Sequence, residues 1–291
     1  MRHKEEIPAL AGLEVVTTAL NLPGPLAAAE LARMGAGVLK VEPPAGDPLA
    51  EASPGWYEAL HEEQEVVALD LTRAGDRATF DGRLAEADLL LTSSRPASLS
   101  RLGLGWGDLR ERFPGLSRVA IVGHPSPREG IPTHDLTAQA EAGLVDPPDL
   151  PRSLVADLAS ARRAVALCLE LLLRRERGQA AAAREVAMSE EARAFAEPVR
   201  RGLTSPDGPL GGGLAAYGVY RARDGWIAVA ALEPRFRERL EEELGWEGEG
   251  REGLERIFRE RPAERWERWA EARDLPLVAV RCADGSLAPP D

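Results

Sequence analysis

Five short runs in the first 123 residues are apolar almost throughout: LEVVT (13–17), GVLKVE (37–42), VVALDL (66–71), ADLLLTS (87–93) and SRVAIVG (117–123). A strand with one wet face alternates apolar and polar residues. A run without that alternation is covered on both faces. Helical stretches separate these runs. Pro23-Gly24-Pro25 opens one that continues through Met34 and stops at Gly35, with proline in the first turn and glycine past the end. Another covers 73–85. Two more follow Asp135: one to about Leu144, and one on DLASARRAVALCLELLLRRERG, whose apolar stripe ends in basic residues and Gly178. A last strand of this part is predicted at Arg184–Ser189. The fold class is therefore α/β, a parallel sheet with helices on both sides.

The pattern changes after residue 197. Residues 198–213 are rich in Gly, Pro, Ser and Asp and are predicted to be a linker. Two strands (217–221 and 226–231), three polar helices to about Asp274 and a final strand in LPLVAV follow. The expected division is a large domain over 1–197, a linker over 198–213, a small α+β domain over 214–274 and a short C-terminal return segment over 275–291.

Composition narrows the partners. The 291 residues carry a formal net charge of −12. No basic patch stands out beyond helix ends such as Arg174-Arg175, so a nucleic-acid partner is not expected. No apolar run is long enough to span a bilayer, and MRHKEEIPAL lacks the apolar centre of an export signal, so no membrane association and a cytoplasmic location are expected. Two cysteines, Cys168 and Cys282, make no disulfide framework, and four histidines make a structural metal site improbable. Positive charge is almost all arginine; lysine stands only at Lys4 and Lys40.

Three ionisable residues stand at helix starts, where α/β proteins present side chains to ligands. Each has a plain structural reading. Asp157 precedes the apolar helix as an N-cap would. His134, in PTHDL, reads as a half-exposed residue at a helix start capped by Asp135. Glu233, in ALEPRF between an apolar strand and a Pro-started helix, reads as a first-turn acid. Arg95 reads as a solvated loop arginine, and the glycines of RLGLGWGD lack dinucleotide-fingerprint spacing and read as turn residues.

Several segments together resemble the family III CoA-transferase and α-methylacyl-CoA racemase superfamily. They are LAGLEVV, LPGPLAAAELARMGAGVLKVEPPAGDP, VVALDL, SRPASLSRLGLG, HDLTAQAEAGL, LVADLASARRA and the stretch from GGG to ALEPRF. The resemblance runs from about Leu10 to Val280, and ALEPRF after YGVYRARDGW is closer to the racemase branch. It implies a Rossmann-like large domain, a smaller domain and an interlocked homodimer. It also implies an acyl-CoA thioester substrate, with no cofactor beyond the substrate's CoA.

On that resemblance the site residues acquire roles. Asp157 and His134 become acid/base partners on opposite faces of the carbon α to a thioester, with Glu233 supporting His134. Arg95 becomes a CoA phosphate contact. A helix N-terminus would hold Asp157 as the anion. The leading expectation is an α-methylacyl-CoA racemase-like enzyme working through an enolate. The alternatives are CoA transfer with Asp157 as nucleophile, and a diverged member without catalysis. Three departures bear on binding. The segment LHEEQE puts Glu62, Glu63 and Glu65 where relatives carry basic residues. Ala159, Ser160, Ala161 and Arg162 replace glycines after Asp157. The ending ADGSLAPPD is short for a segment that closes around a partner.

Overall fold

The computed structural model describes residues 7–246 and 250–289. The chain divides into two units, Met1–Ala196 and Glu197–Asp291. In the first, six strands form one sheet: β1 (Glu14–Thr17), β2 (Gly37–Glu42), β3 (Glu65–Ala68), β4 (Leu89–Thr92), β5 (Ser117–Val122) and β6 (Ala183–Ala187). Their order is β3-β2-β1-β4-β5-β6 and every pair is parallel. This is the doubly wound, Rossmann-type order. Helix α1 (Pro23–Arg33) joins β1 to β2. Helices α2 (Pro48–Ala52) and α3 (Pro54–His61) precede β3, and α4 (Ala74–Glu86) precedes β4. Helices α5 (Pro96–Arg101) and α6 (Trp106–Arg112) lead to β5. Then α7 (Asp135–Ala142) and α8 (Val155–Glu176) lead to β6, and α9 (Met188–Phe195) closes the unit.

The unbroken apolar runs do what their pattern requires. Val15, Leu89 and Leu91 point into one core with Ala27, Ala28 and Leu31 of α1 and Leu167, Cys168 and Leu171 of α8. Their neighbours Val16, Leu39 and Leu90 point into the opposite core with Phe80 and Leu84 of α4 and Leu109 of α6. Each fully buried leucine contributes about 1.5–3 kcal/mol against exposure. Glycine is required where α1 packs closest: a Cβ on Gly24 would collide with Ala19, and Gly35 holds φ +99° against Pro8.

Some expectations need correction. VVALDL supplies an edge strand that ends at Ala68; among the described residues no strand pairs with its outer side, and Val66 is 39% exposed. Helices α2, α3, α5 and α6 occupy stretches where no helix was expected. All but α6 start at a proline, and all are too short to show a clear period. The sixth strand gives way to α9 at Met188, where a continuation to Ser189 was expected.

The second unit is a three-stranded antiparallel sheet, β7 (Tyr217–Arg221), β8 (Trp226–Ala230) and β9 (Leu277–Ala279), in that order. Within the predicted linker lie the end of α10 (Glu197–Arg200) and a π-helical turn over Pro209–Gly213. Three helices follow β8: α11 (Pro234–Leu244), α12 (Gly250–Phe258) and α13 (Ala263–Glu271). Their apolar sides meet the inner face of the sheet at Tyr220, Ile227, Val229, Leu254, Phe258 and Trp266. Phe258 and Trp266 pack edge to face with centroids 5.2 Å apart. The strand expected in LPLVAV is β9, paired to β8.

Candidate active site

In an open parallel sheet, ligands settle at the carboxyl ends of the strands where the winding reverses. Here that point lies between β1 and β4. A cleft of about 210 Å³ opens there. Its walls come from the loop after β1 (Leu20, Asn21, Pro23), the loop after β4 (Ser93, Ser94, Arg95) and the end of β5 (Ile121 to Gly123). The loop before α7 (Glu129 to His134), Asp157 of α8 and Met188 complete it.

Three of the four expected residues line this cleft: His134, Asp157 and Arg95. Asp157 is the third residue of α8, and the cap position falls to Leu154. Its backbone N–H donates to Asp135 Oδ1 at 3.1 Å. Asp135 is buried, and its Oδ2 accepts from Gln139 Nε2 at 2.5 Å. The same amide nitrogen donates to the Ser153 carbonyl at 2.9 Å, which ties α7 to the approach of α8. The Asp157 carboxyl therefore sits half-buried beside a second carboxylate. Burial first and the charge of Asp135 second push its pKa up to about 7. This reverses the expectation that the helix terminus would favour the anion, because like charge and desolvation outweigh a dipole contribution of 0.3–1 kcal/mol.

His134 is itself the cap residue of α7, with Asp135 the first helical residue, a reversal of the expected roles. Its N–H donates to Thr137 Oγ1 at 3.0 Å, and its ring is exposed at the cleft. Arg95 caps α5 at the cleft lip; its guanidinium makes no ion pair among the described residues. Glu233 lies in the second unit, as the exposed cap residue of α11. It is not among the residues that line this cleft.

The anticipated obstructions lie outside the cleft. Ala159, Ser160 and Ala161 are buried within α8. Arg162 is exposed and pairs with Glu30. Glu62, Glu63 and Glu65 are exposed and do not line it, and Glu65 pairs with Arg83 at 2.6 Å. Among the described residues no group of three or more His, Cys, Asp or Glu side chains could hold a metal ion, and no helix is long and apolar enough to cross a membrane. Residues that sequence reasoning missed are Asp135 as a charge neighbour, Gln139, and the hydroxyls Ser93 and Ser94. The HD pair offered a clue to the first; nothing local marked the others.

The family described as CoA-transferase family III matches residues 10–291. The chain belongs to that family. A curated relative, "Probable fatty acyl-CoA transferase Rv3272" of Mycobacterium tuberculosis, is 29% identical over 79% of this chain and 67% of its own length. The succinyl-CoA:mesaconate CoA-transferase of Haloarcula hispanica is 28% identical over 77% of this chain and 64% of its own. The chain thus spans about two thirds of the length of these relatives. A crystal structure of Rv3272 superposes with a TM-score of 0.84 at 26% identity, covering 96% of this chain and 86% of that one. The Rossmann-type reading of the family III fold therefore holds for this chain.

Proposed function

We propose that this family III member transfers CoA between carboxylic acids, with Asp157 as the nucleophile. One observation carries the reading: a half-buried carboxyl with its pKa raised to about 7 lines the cleft at the sheet's switch point. A raised pKa makes the carboxylate more nucleophilic and keeps it ionisable near neutrality. The names of the relatives, both CoA-transferases, favour transfer over the racemase expectation.

The steps balance without any further group. The Asp157 carboxylate attacks the thioester carbonyl, the C–S bond breaks and CoA leaves as the thiolate, giving an acyl–aspartyl anhydride. The thiolate then attacks the Asp157 carbonyl, forms an aspartyl thioester and releases the first carboxylate. An acceptor carboxylate runs the same two steps in reverse. Arg95, at the lip, is the proposed partner of a CoA phosphate. Borohydride or hydroxylamine added during incubation with an acyl-CoA tests this. Mass spectrometry should find the modification on the Asp157 peptide; transfer with that peptide unmodified would sink the assignment.

A second reading rests on His134 and Asp157 sharing one cleft. Two acid/base groups facing one ligand suit exchange of an α-hydrogen. Exchange of the α-hydrogen of a 2-methylacyl-CoA in deuterated water, lost in His134→Ala, distinguishes it from transfer. Failure to bind any CoA ester in calorimetry would favour a non-catalytic member. The proposal also carries a homodimer of the 31.4 kDa chain, which sedimentation equilibrium checks.

A further inference from the structure

The family-like motif VLKVEPPAGDP holds a buried polar cluster that the cleft chemistry does not use. Lys40 is fully buried on β2, in a chain that makes nearly all its cations arginine. Its Nζ lies 2.5 Å from Asp47 Oδ2, 3.0 Å from His61 Nε2 and 3.3 Å from Glu42 Oε1. Three ammonium donors thus meet three acceptors. An arginine would bring five donors in a planar fork and leave some unmet. His61 Nδ1 lies 2.6 Å from the Tyr57 carbonyl, which accepts only if Nδ1 carries the hydrogen. That tautomer leaves Nε2 free to accept from Lys40. Tyr57 donates its hydroxyl to Glu42 Oε1 at 2.8 Å, which completes the cluster.

The cluster has an outlet toward the cleft. Asp47 Oδ1, the oxygen that Lys40 does not take, accepts from the backbone N–H of Asn21 at 2.9 Å and of Leu49 at 3.0 Å. Asn21 stands at φ +65°, a conformation L side chains adopt rarely and asparagine more readily. Asn21 lines the cleft, as do Leu20 before it and Pro23 after it. Leu20 is held from the other side, its N–H donating to Ser93 Oγ at 3.0 Å. One wall of the cleft is therefore pinned by Ser93 and Asp47. Lys40 and Asp47 do not themselves line the cleft.

We propose that Lys40 and Asp47 are positioning residues: through the Asp47–Asn21 bond they hold the 20–23 wall at the spacing that the acyl-CoA cleft requires. The proposal also gives His61 a place. It lies in the segment whose neighbours Glu62 and Glu63 look hostile to a nucleotide, and it serves this cluster through a neutral ring. The substrate half of the idea rests on the transferase reading above; the mechanical half does not.

The test compares the full-length chain with Asp47→Ala and the milder Asp47→Asn, which keeps an acceptor for Asn21. Amide hydrogen exchange is followed for peptides covering 18–24, 89–92 and 117–122. With Asp47→Ala, exchange at 18–24 should rise about tenfold or more while the two strands change less than about twofold, a local opening. Asp47→Asn should fall between wild type and Asp47→Ala. KM for the acyl-CoA should rise more than kcat falls, with partial rescue in Asp47→Asn. A uniform rise in all three peptides, or none at 18–24, overturns the mechanical link. A loosened 18–24 with KM and kcat unchanged overturns the positioning of the cleft. If wild type turns over no acyl-CoA, the transferase reading fails, and the exchange data still decide whether Asp47 holds Asn21. Should Asp47→Ala not fold, Asp47→Asn alone must show the rise at 18–24, and its absence overturns the link.

Discussion

Lys40 and Asp157 are both ionisable side chains set into the six-stranded unit, and their surroundings are built on opposite rules. Lys40 has an acceptor for each of its three donors, two of them carboxylates, so its charge is met at every point. Asp157 feels the negative charge of Asp135, and it borders a cleft. A charge that is fully met gives rigidity and no reactivity. A carboxyl pressed against another carboxyl is held at a cost, and it releases that cost when a ligand or a bond takes its charge. The difference explains why the more deeply buried of the two is the less informative about chemistry.

The sharpest way to break the comparison is activity. Asp157→Ala should lower acyl-CoA turnover by about 10³-fold or more, as loss of a nucleophile does. Steady-state rates on purified protein check it. If the loss stays within about tenfold, Asp157 is not the nucleophile, and its raised pKa reflects only burial and the neighbouring charge of Asp135. On the other side, Lys40→Met should cost about 3–5 kcal/mol of unfolding free energy, because it leaves Asp47 and Glu42 as unpaired buried charges. Denaturant titration measures this. A cost below about 1 kcal/mol would mean that water reaches the cluster and screens it.

The third test concerns sign. The folded pKa of Asp157, about 7, lies above the ordinary carboxylate range. Between about pH 4 and 7 the folded chain holds a proton that the unfolded chain has lost, so this group's contribution to stability falls as pH rises through that window. Above pH 7 the full penalty applies. Asp157→Asn removes it and should stabilise the protein by about 2–4 kcal/mol at pH 8, with almost no effect near pH 4. His61 works the other way. Burial, then the nearby Lys40, lowers its pKa. The unfolded chain therefore takes up that proton first as pH falls below about 6.5, and stability declines toward acid. Melting curves of wild type and Asp157→Asn at pH 4, 6 and 8 separate the two contributions.

What the sequence made legible follows from the range of each interaction. The sheet could be read because Val15, Val16, Leu89, Leu90 and Leu91 are apolar on both faces, a property of consecutive residues. The cleft residues His134, Asp157 and Arg95 could be read because motifs and helix starts mark them. The charge state of Asp157 could not, because Asp135 lies 22 residues upstream and only the fold brings its carboxylate to the α8 amide. His61 was hidden in the same way. In LHEEQE it is one polar residue among acids, and its meaning depends on Lys40, 21 residues away on another element. Helices α2 and α3 escaped notice because, at five and eight residues, they are too short to show a clear period.

The smallest effect belongs to Arg95, and it asks how far the cleft's logic extends to its rim. Arg95 is exposed and makes no ion pair among the described residues, so a phosphate would not have to displace a partner. Pairing in high dielectric is weak, about 1 kcal/mol, so Arg95→Ala should raise KM for an acyl-CoA about three- to tenfold and leave kcat within about twofold. Because exposed charges are screened within about 8 Å at physiological salt, the gap between wild type and variant should narrow as salt rises from 0.05 to about 0.5 M. Arg95→Lys separates geometry from charge: a lysine restores attraction but not the planar fork, so a full rescue would mean that only the charge mattered. If Arg95→Ala leaves KM unchanged at low salt, the phosphates lie elsewhere. The distinction between a met charge inside and an unmet one at the cleft would then stop at Asp157.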